Sequence, residues 1–157
     1  MVADCAGAGR PVVEVAVRAV VQRVLDAEVV IGATTVARIE RPGLLVLLGV
    51  THTDGPAEVV TLARKIWELR IMRGEHSARD LGAALLVVSQ FTLYADTGKG
   101  RRPSWSAAAP APVSGPVFDQ FCAELEVLGA PVERGVFGAD MAVRSINDGP
   151  VTILLEV

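Results

Sequence analysis

The chain has 157 residues, which fits one domain able to bury roughly 70% of its unfolded surface. It is 51% apolar with only 4% aromatics, so its core must be aliphatic, and a disordered chain or a coiled coil is excluded. A formal net charge of −3 excludes a molecule that is basic overall, so any contact with RNA must use a local patch.

Residues 1–10 are small and polar and are expected to be loosely held. No basic segment leads into a long apolar stretch there, so no signal peptide is predicted. Alternation from Val12 to Leu25 predicts a strand over Arg18–Val24, and Thr35–Ile39 predicts another after a turn at Gly32. Gly43–Val50 reads as a strand buried on both faces, and its apolar run is far too short to span a bilayer. A helix follows, with Asp54 as its cap, Pro56 in its first turn, and Val59, Leu62, Ala63, Ile66, Trp67 and Leu69 at helical spacing. Leu85–Thr92 predicts an apolar strand, and Ala95 to Pro112 a functional loop rich in Gly, Pro, Ser and Arg. A second helix opens at Ser114 with Pro116 just inside, carries Val117, Phe118, Phe121, Cys122 and Leu125, and stops at Gly129 and Pro131. Val132–Val136, Ala142–Ile146 and Val151–Val157 complete the set as three strands. The expected fold is a single compact α/β or α+β domain: a mainly antiparallel or mixed β-sheet, or partial barrel, with two helices.

Several familiar chemistries find no support. Cys5 and Cys122 make no disulfide framework, which suits a reducing cytoplasm. His52 and His76 have no partners at ligand spacing, so no metal is predicted. A nucleophile elbow is absent, and Gly98-Lys99-Gly100 fails as a phosphate loop because Leu93 replaces the first Gly and no Ser or Thr follows Lys99. Asp96-Thr97-Gly98 resembles an aspartic-protease triplet, but Lys99, Arg101 and Arg102 follow it and would keep the aspartate ionised. That basic cluster, beside Trp105, reads as a solvated loop or as a grip on a phosphate backbone.

Ser89-Gln90-Phe91-Thr92-Leu93 ends a buried strand, and Asn147-Asp148-Gly149-Pro150-Val151-Thr152 joins two strands. Each alone has a plain reading, as a hydrogen-bond network and as a turn. Together with Gln22-Arg23-Val24 and Lys99-Gly100-Arg101-Arg102-Pro103-Ser104, they resemble the D-aminoacyl-tRNA deacylase (D-tyrosyl-tRNA deacylase) family. The resemblance runs from Val17 to Val157 and includes Gly43–Gly49, the Trp67 helix and Phe137-Gly138-Ala139-Asp140-Met141. It departs from the family's pattern in a short Gly74–Gly82 stretch. The family's first Met falls at Val17, so residues 1–16 are read as an extension, dispensable or the product of a misassigned start, before a 17–157 deacylase domain.

The resemblance implies hydrolysis of the ester bond of D-aminoacyl-tRNA, releasing D-amino acid and free tRNA: chiral proofreading in translation, with mischarged glycyl-tRNA left open as a further substrate. It implies a cytoplasmic homodimer with cross-subunit active sites, no cofactor, and neither a membrane nor a DNA partner. Ser89, Gln90, Phe91 and Thr92 would line the catalytic pocket. Gly149 and Pro150, joined by a cis peptide, would enter from the partner and exclude the L-form. Arg23 would brace that motif, Phe137 and Met141 would pack against the terminal adenosine, and Lys99, Arg101 and Arg102 would hold tRNA. Thr92 is the best side-chain candidate for a nucleophile or water-positioning group, but a lone Thr without a base is weak, and assistance by the tRNA 2′-hydroxyl is preferred. The alternative from another class is a tRNA acceptor-end binding module without hydrolysis.

Overall fold

The computed structural model describes residues 17–157; the proposed extension lies outside them, as does Cys5. Six strands form the frame: β1 (Arg18–Ile31), β2 (Thr34–Ile39), β3 (Gly43–Gly49), β4 (Leu85–Ser89), β5 (Val132–Arg134) and β6 (Ala142–Glu156). Three helices accompany them: α1 (Pro56–Glu68), α2 (Ala78–Leu81) and α3 (Ala111–Val127). On one side, the first half of β1 pairs with β3 and its second half with β2, both antiparallel. β6 runs antiparallel along the other side of β1, and its own outer edge has no partner among the described residues. β3, β4 and β5 are parallel neighbours, reached through crossovers that contain α1 and α3. β2 comes round against β4 and β5, which curls the mixed sheet into a nearly closed barrel.

Two cores result. Val17, Ala19 and Val21 of the first strand region face the helices, with Leu44, Val46, Leu85 and Val87. Val24, Ala27 and Val29 face the barrel interior, with Leu45, Leu86 and Val88. A register shift between Val24 and Ala27 moves the odd-numbered residues of β1 from one core to the other. β3 and β4 supply both cores by plain alternation, so they are apolar throughout, as read from sequence for β3. No helix among the described residues is long and apolar enough to cross a membrane.

Several boundaries differ from the sequence reading. Asp54 does not cap α1: its Oδ2 accepts the Thr51 N–H at 2.6 Å, and Gly55 takes the cap position, its N–H donating to Glu58 at 3.1 Å. α3 begins at Ala111, because Pro112 supplies the proline tolerated in a first turn; Pro116 lies inside the helix, and Ser114 Oγ donates to the Pro110 carbonyl at 3.1 Å. A third helix, α2, is closed by Ser77 and Asp80, each side chain accepting from the other's N–H. β4 stops at Ser89, short of Thr92, where the chain tightens into a 3-10 turn over Phe91–Tyr94. The last two expected strands are the single strand β6, with a bulge where a turn was expected.

Candidate active site

The end of β4 is shaped by its neighbour. Gln90 donates its N–H to the Leu48 carbonyl at 2.7 Å and the chain then turns, with Leu93 N–H closing on the Gln90 carbonyl at 3.2 Å. Gly49 lets the turn lie against β3: a Cβ there would stand 3.0 Å from Leu93 Cβ and 3.1 Å from Tyr94 Cε2. Arg18 ties the turn to β1, donating from Nη1 to the Leu93 carbonyl at 2.6 Å, pairing with Glu156 at 2.7 Å and covering the Tyr94 ring at 4.8 Å.

Beside this turn lies a cavity of about 290 Å³, walled by the ends of β3 and β4, the start of α3 and residues 137–141. It brings together Ser89, Gln90, Phe91, Phe137 and Met141, all named from sequence. Thr92 sits in the turn without lining the cavity, and its Oγ1 accepts a hydrogen bond from Gln90 Nε2. Ser114 and Asp140 also line it and were not singled out as site residues. The far wall is close to Gly135, where a Cβ would stand 3.0 Å from Met141 Sδ. Phe137 leans on Phe118, with ring centroids 6.1 Å apart.

The second feature is the bulge in β6. Val24 pairs with Asn147 and Gln22 with Thr152, so Asp148, Gly149, Pro150 and Val151 stand opposite Arg23 alone. Asn147 Nδ2 closes the base of the bulge by donating to the carbonyls of Arg23 and Val151, both at 3.0 Å. Asp148 is buried and carries the clamp. Arg73 grips its carboxylate through Nη2 at 2.6 Å and Nε at 3.2 Å, while Arg23 Nε donates to its backbone carbonyl at 3.1 Å and lies 3.2 Å from Oδ2. The Arg73 hydrogen bonds, with added attraction from Arg23, hold the Asp148 carboxyl below its usual range. Arg23 also donates to the Ile71 carbonyl at 3.0 Å. Gly149 and Pro150 are exposed, joined by a cis peptide, and do not line the cavity of their own chain. Gly149 has φ +124°, and a Cβ on it would fall 2.5 Å from Arg23 Nη2. Arg73 was missed because its partner is 75 residues away in sequence.

Lys99, Arg101 and Arg102 are exposed at the tip of a hairpin closed by paired backbone bonds between Asp96 and Ser104, 2.8 and 2.9 Å long. Asp96 Oδ1 accepts the Gly98 N–H at 2.9 Å, an exposed turn quite unlike a shared buried carboxylate pair. One His52 ring nitrogen lies 2.9 Å from the Ser106 carbonyl, His76 lies 3.9 Å from Asp80, and no metal-holding group occurs among the described residues. Cys122 lies buried in the core, where desolvation pushes its thiol up to about 12, so it is no nucleophile at neutral pH.

Residues 20–156 match the family model described as D-Tyr-tRNA(Tyr) deacylase. The chain is 62% identical over 140 residues to a D-aminoacyl-tRNA deacylase of Thermobifida fusca, covering 89% of this chain and 99% of that protein. It is 60% identical over 139 residues to the enzyme of that name from Kineococcus radiotolerans, covering 88% and 99%. Among solved structures it resembles "c-Myc DNA Unwinding Element Binding Protein", with a TM-score of 0.84 and 37% identity over 89% of this chain and 98% of that one. A second, a probable eukaryotic D-amino acid tRNA deacylase, shares the fold at a TM-score of 0.78 and 16% identity, covering 90% of this chain and 99% of that one.

Proposed function

Because the chain belongs to the D-Tyr-tRNA(Tyr) deacylase family, we infer that it hydrolyses D-aminoacyl-tRNA in the cavity beside β4, with the Gly149–Pro150 bulge of a second copy completing each site. It is a hydrolase of the ester bond between D-amino acid and tRNA. The relatives are named for hydrolysis, and nothing supports a binding module without it. The observation that carries the two-chain site is the separation of its halves. The bulge is braced from three directions yet exposes Gly149 and Pro150, while the cavity lacks them.

In this reading Phe137 and Met141 pack against the terminal adenosine, and the aminoacyl group lies over Ser89, Gln90 and Phe91. The partner's backbone carbonyls occupy the space an L-side chain would need, so the site accepts D-side chains by refusing the other hand. The ester is already activated by its α-ammonium and the adjacent ribose hydroxyl. The first N–H groups of a helical turn have no acceptor inside it, which leaves those of Phe91 and Thr92 to donate to the developing oxyanion. Thr92, held by Gln90, positions this turn and forms no covalent intermediate. The tRNA 2′-hydroxyl assists the attack, and Lys99, Arg101 and Arg102 contact phosphates. Residues 17–157 carry the whole activity.

The test is incubation with matched D- and L-aminoacyl-tRNA, following amino-acid release with and without a chelator. Rapid release of the D-form alone, unaffected by chelation, is expected. Equal release of both forms, or a loss on chelation restored by zinc, would overturn this reading.

A further inference from the structure

The chain has only two Trp, one Tyr and four Phe. Trp67, Tyr94, Phe118 and Phe121 are buried, whereas Phe91, Trp105 and Phe137 are 56%, 41% and 37% exposed. A chain this poor in aromatics exposes three of them, and all three gather at one place. Phe91 and Phe137 line the cavity, and Trp105 stands edge-on to Phe91 with ring centroids 5.2 Å apart and planes at 75°. Phe137 and Phe91 have places in the reading above; Trp105, which stands against Phe91 without lining the cavity, has none.

Trp105 is held in position. It directly follows the hairpin closed between Asp96 and Ser104, and its carbonyl accepts the Ala108 N–H at 3.0 Å. Thr51 Oγ1 then donates to the Ala107 carbonyl at 2.6 Å, which ties the segment to the end of β3. The same hairpin carries Lys99, Arg101 and Arg102 at its tip, exposed. Exposed rings beside a cluster of cations are the two elements by which proteins hold single-stranded nucleic acid: bases stack on the rings while phosphates meet the cations. An apolar protein partner would be poorly served by a rim of Pro103, Ser104 and Ser106 with three cations nearby.

We propose that Trp105, braced by its edge contact with Phe91, is a stacking platform for the unpaired nucleotide that precedes the terminal adenosine, with Lys99, Arg101 and Arg102 along its phosphates. This rests on the functional reading above, with the RNA leaving the cavity past Phe91, the lining residue that Trp105 contacts. The platform gives the enzyme a hold on the RNA end that is independent of the amino acid.

The experiment compares two D-esters: D-aminoacyl-tRNA, and D-aminoacyl-adenosine, which lacks every earlier nucleotide. Trp105→Ala should lower kcat/KM on the tRNA ester about tenfold or more, mainly through KM, and leave the adenosine ester unchanged. Trp105→Phe should keep most of the tRNA activity. Titration with the trinucleotide CCA should quench the indole emission of Trp105 in the wild type, and the quenching should vanish in Trp105→Phe, where only buried Trp67 remains. Equal losses on both esters, no loss on either, or a change of oligomeric mass in Trp105→Ala would overturn the proposal. If the wild type cleaves neither ester, the functional reading fails by itself, and the quenching titration still decides whether the platform binds RNA.

Discussion

The cavity at the end of β4 is walled by packing, whereas the Asp148–Val151 bulge is held by charge. Phe118, Phe137 and Val88 surround the cavity, and Gly135 leaves room for Met141 in its wall. The bulge contributes little to either core and depends on Arg23, Arg73 and Asn147 gathered around Asp148 and the neighbouring backbone. The two regions therefore answer to different perturbations. Packing is nearly indifferent to pH, while a carboxylate clamp is not.

The sharpest way to break this comparison is at Gly149. Gly149→Ala puts a methyl group 2.5 Å from Arg23 Nη2 at a φ of +124°, so the bulge must move. The D-ester kcat/KM should fall about 100-fold and the D-over-L preference should shrink, in a protein whose Tm drops only modestly. Retention of rate and preference within threefold would separate the bulge from selectivity.

A smaller effect is expected at the clamp. The Asp148 carboxyl lies below its unfolded value, so its contribution is complete above about pH 4 and is lost as pH falls through the lowered value. Asp148→Asn should cost about tenfold in kcat/KM and lower Tm at neutral pH, and its Tm should decline less on acidification than the wild type's. A thermal-melting series from pH 7 to about pH 3 checks the sign; parallel curves for the two proteins would show that Arg73 and Arg23 do not act through this charge.

The smallest effect belongs to the cavity's neighbour. Thr92→Ala removes the acceptor of the Gln90 side chain and should slow deacylation by about tenfold or less, far from the roughly 10⁶-fold loss seen on removing a true nucleophile. Single-turnover kinetics measure this, and a trapped acyl ester on Thr92 would contradict it.

These two regions also differ in how far the sequence discloses them. Ser89, Gln90 and Phe91 follow an apolar run, so their position at the mouth of a buried strand is legible. The place where that run stops being a strand is not, because Leu85 to Leu93 holds no Gly or Pro to mark the turn that the Leu93 N–H closes on the Gln90 carbonyl. α2 had a readable signature in Ser77 and Asp80 that the sequence reading passed over. The bulge resists local reading more deeply. Asn147 to Thr152 looks like a turn, and only the pairing of β6 with β1, over 120 residues away, makes it a kink in one strand. Arg73 is undetectable for the same reason.

That kink has a bearing on how the molecule avoids its own kind. β6 is a 15-residue edge strand, and a straight edge of that length offers a row of open N–H and C=O groups on which another chain could extend the sheet into a fibre. The four residues opposite Arg23 put Ala142–Asn147 and Thr152–Glu156 out of phase, and Pro150 removes a donor at the break. A regular strand docking along one half would lose its register at the other. The same four residues that open the bulge thus leave two shorter edges whose registers do not match.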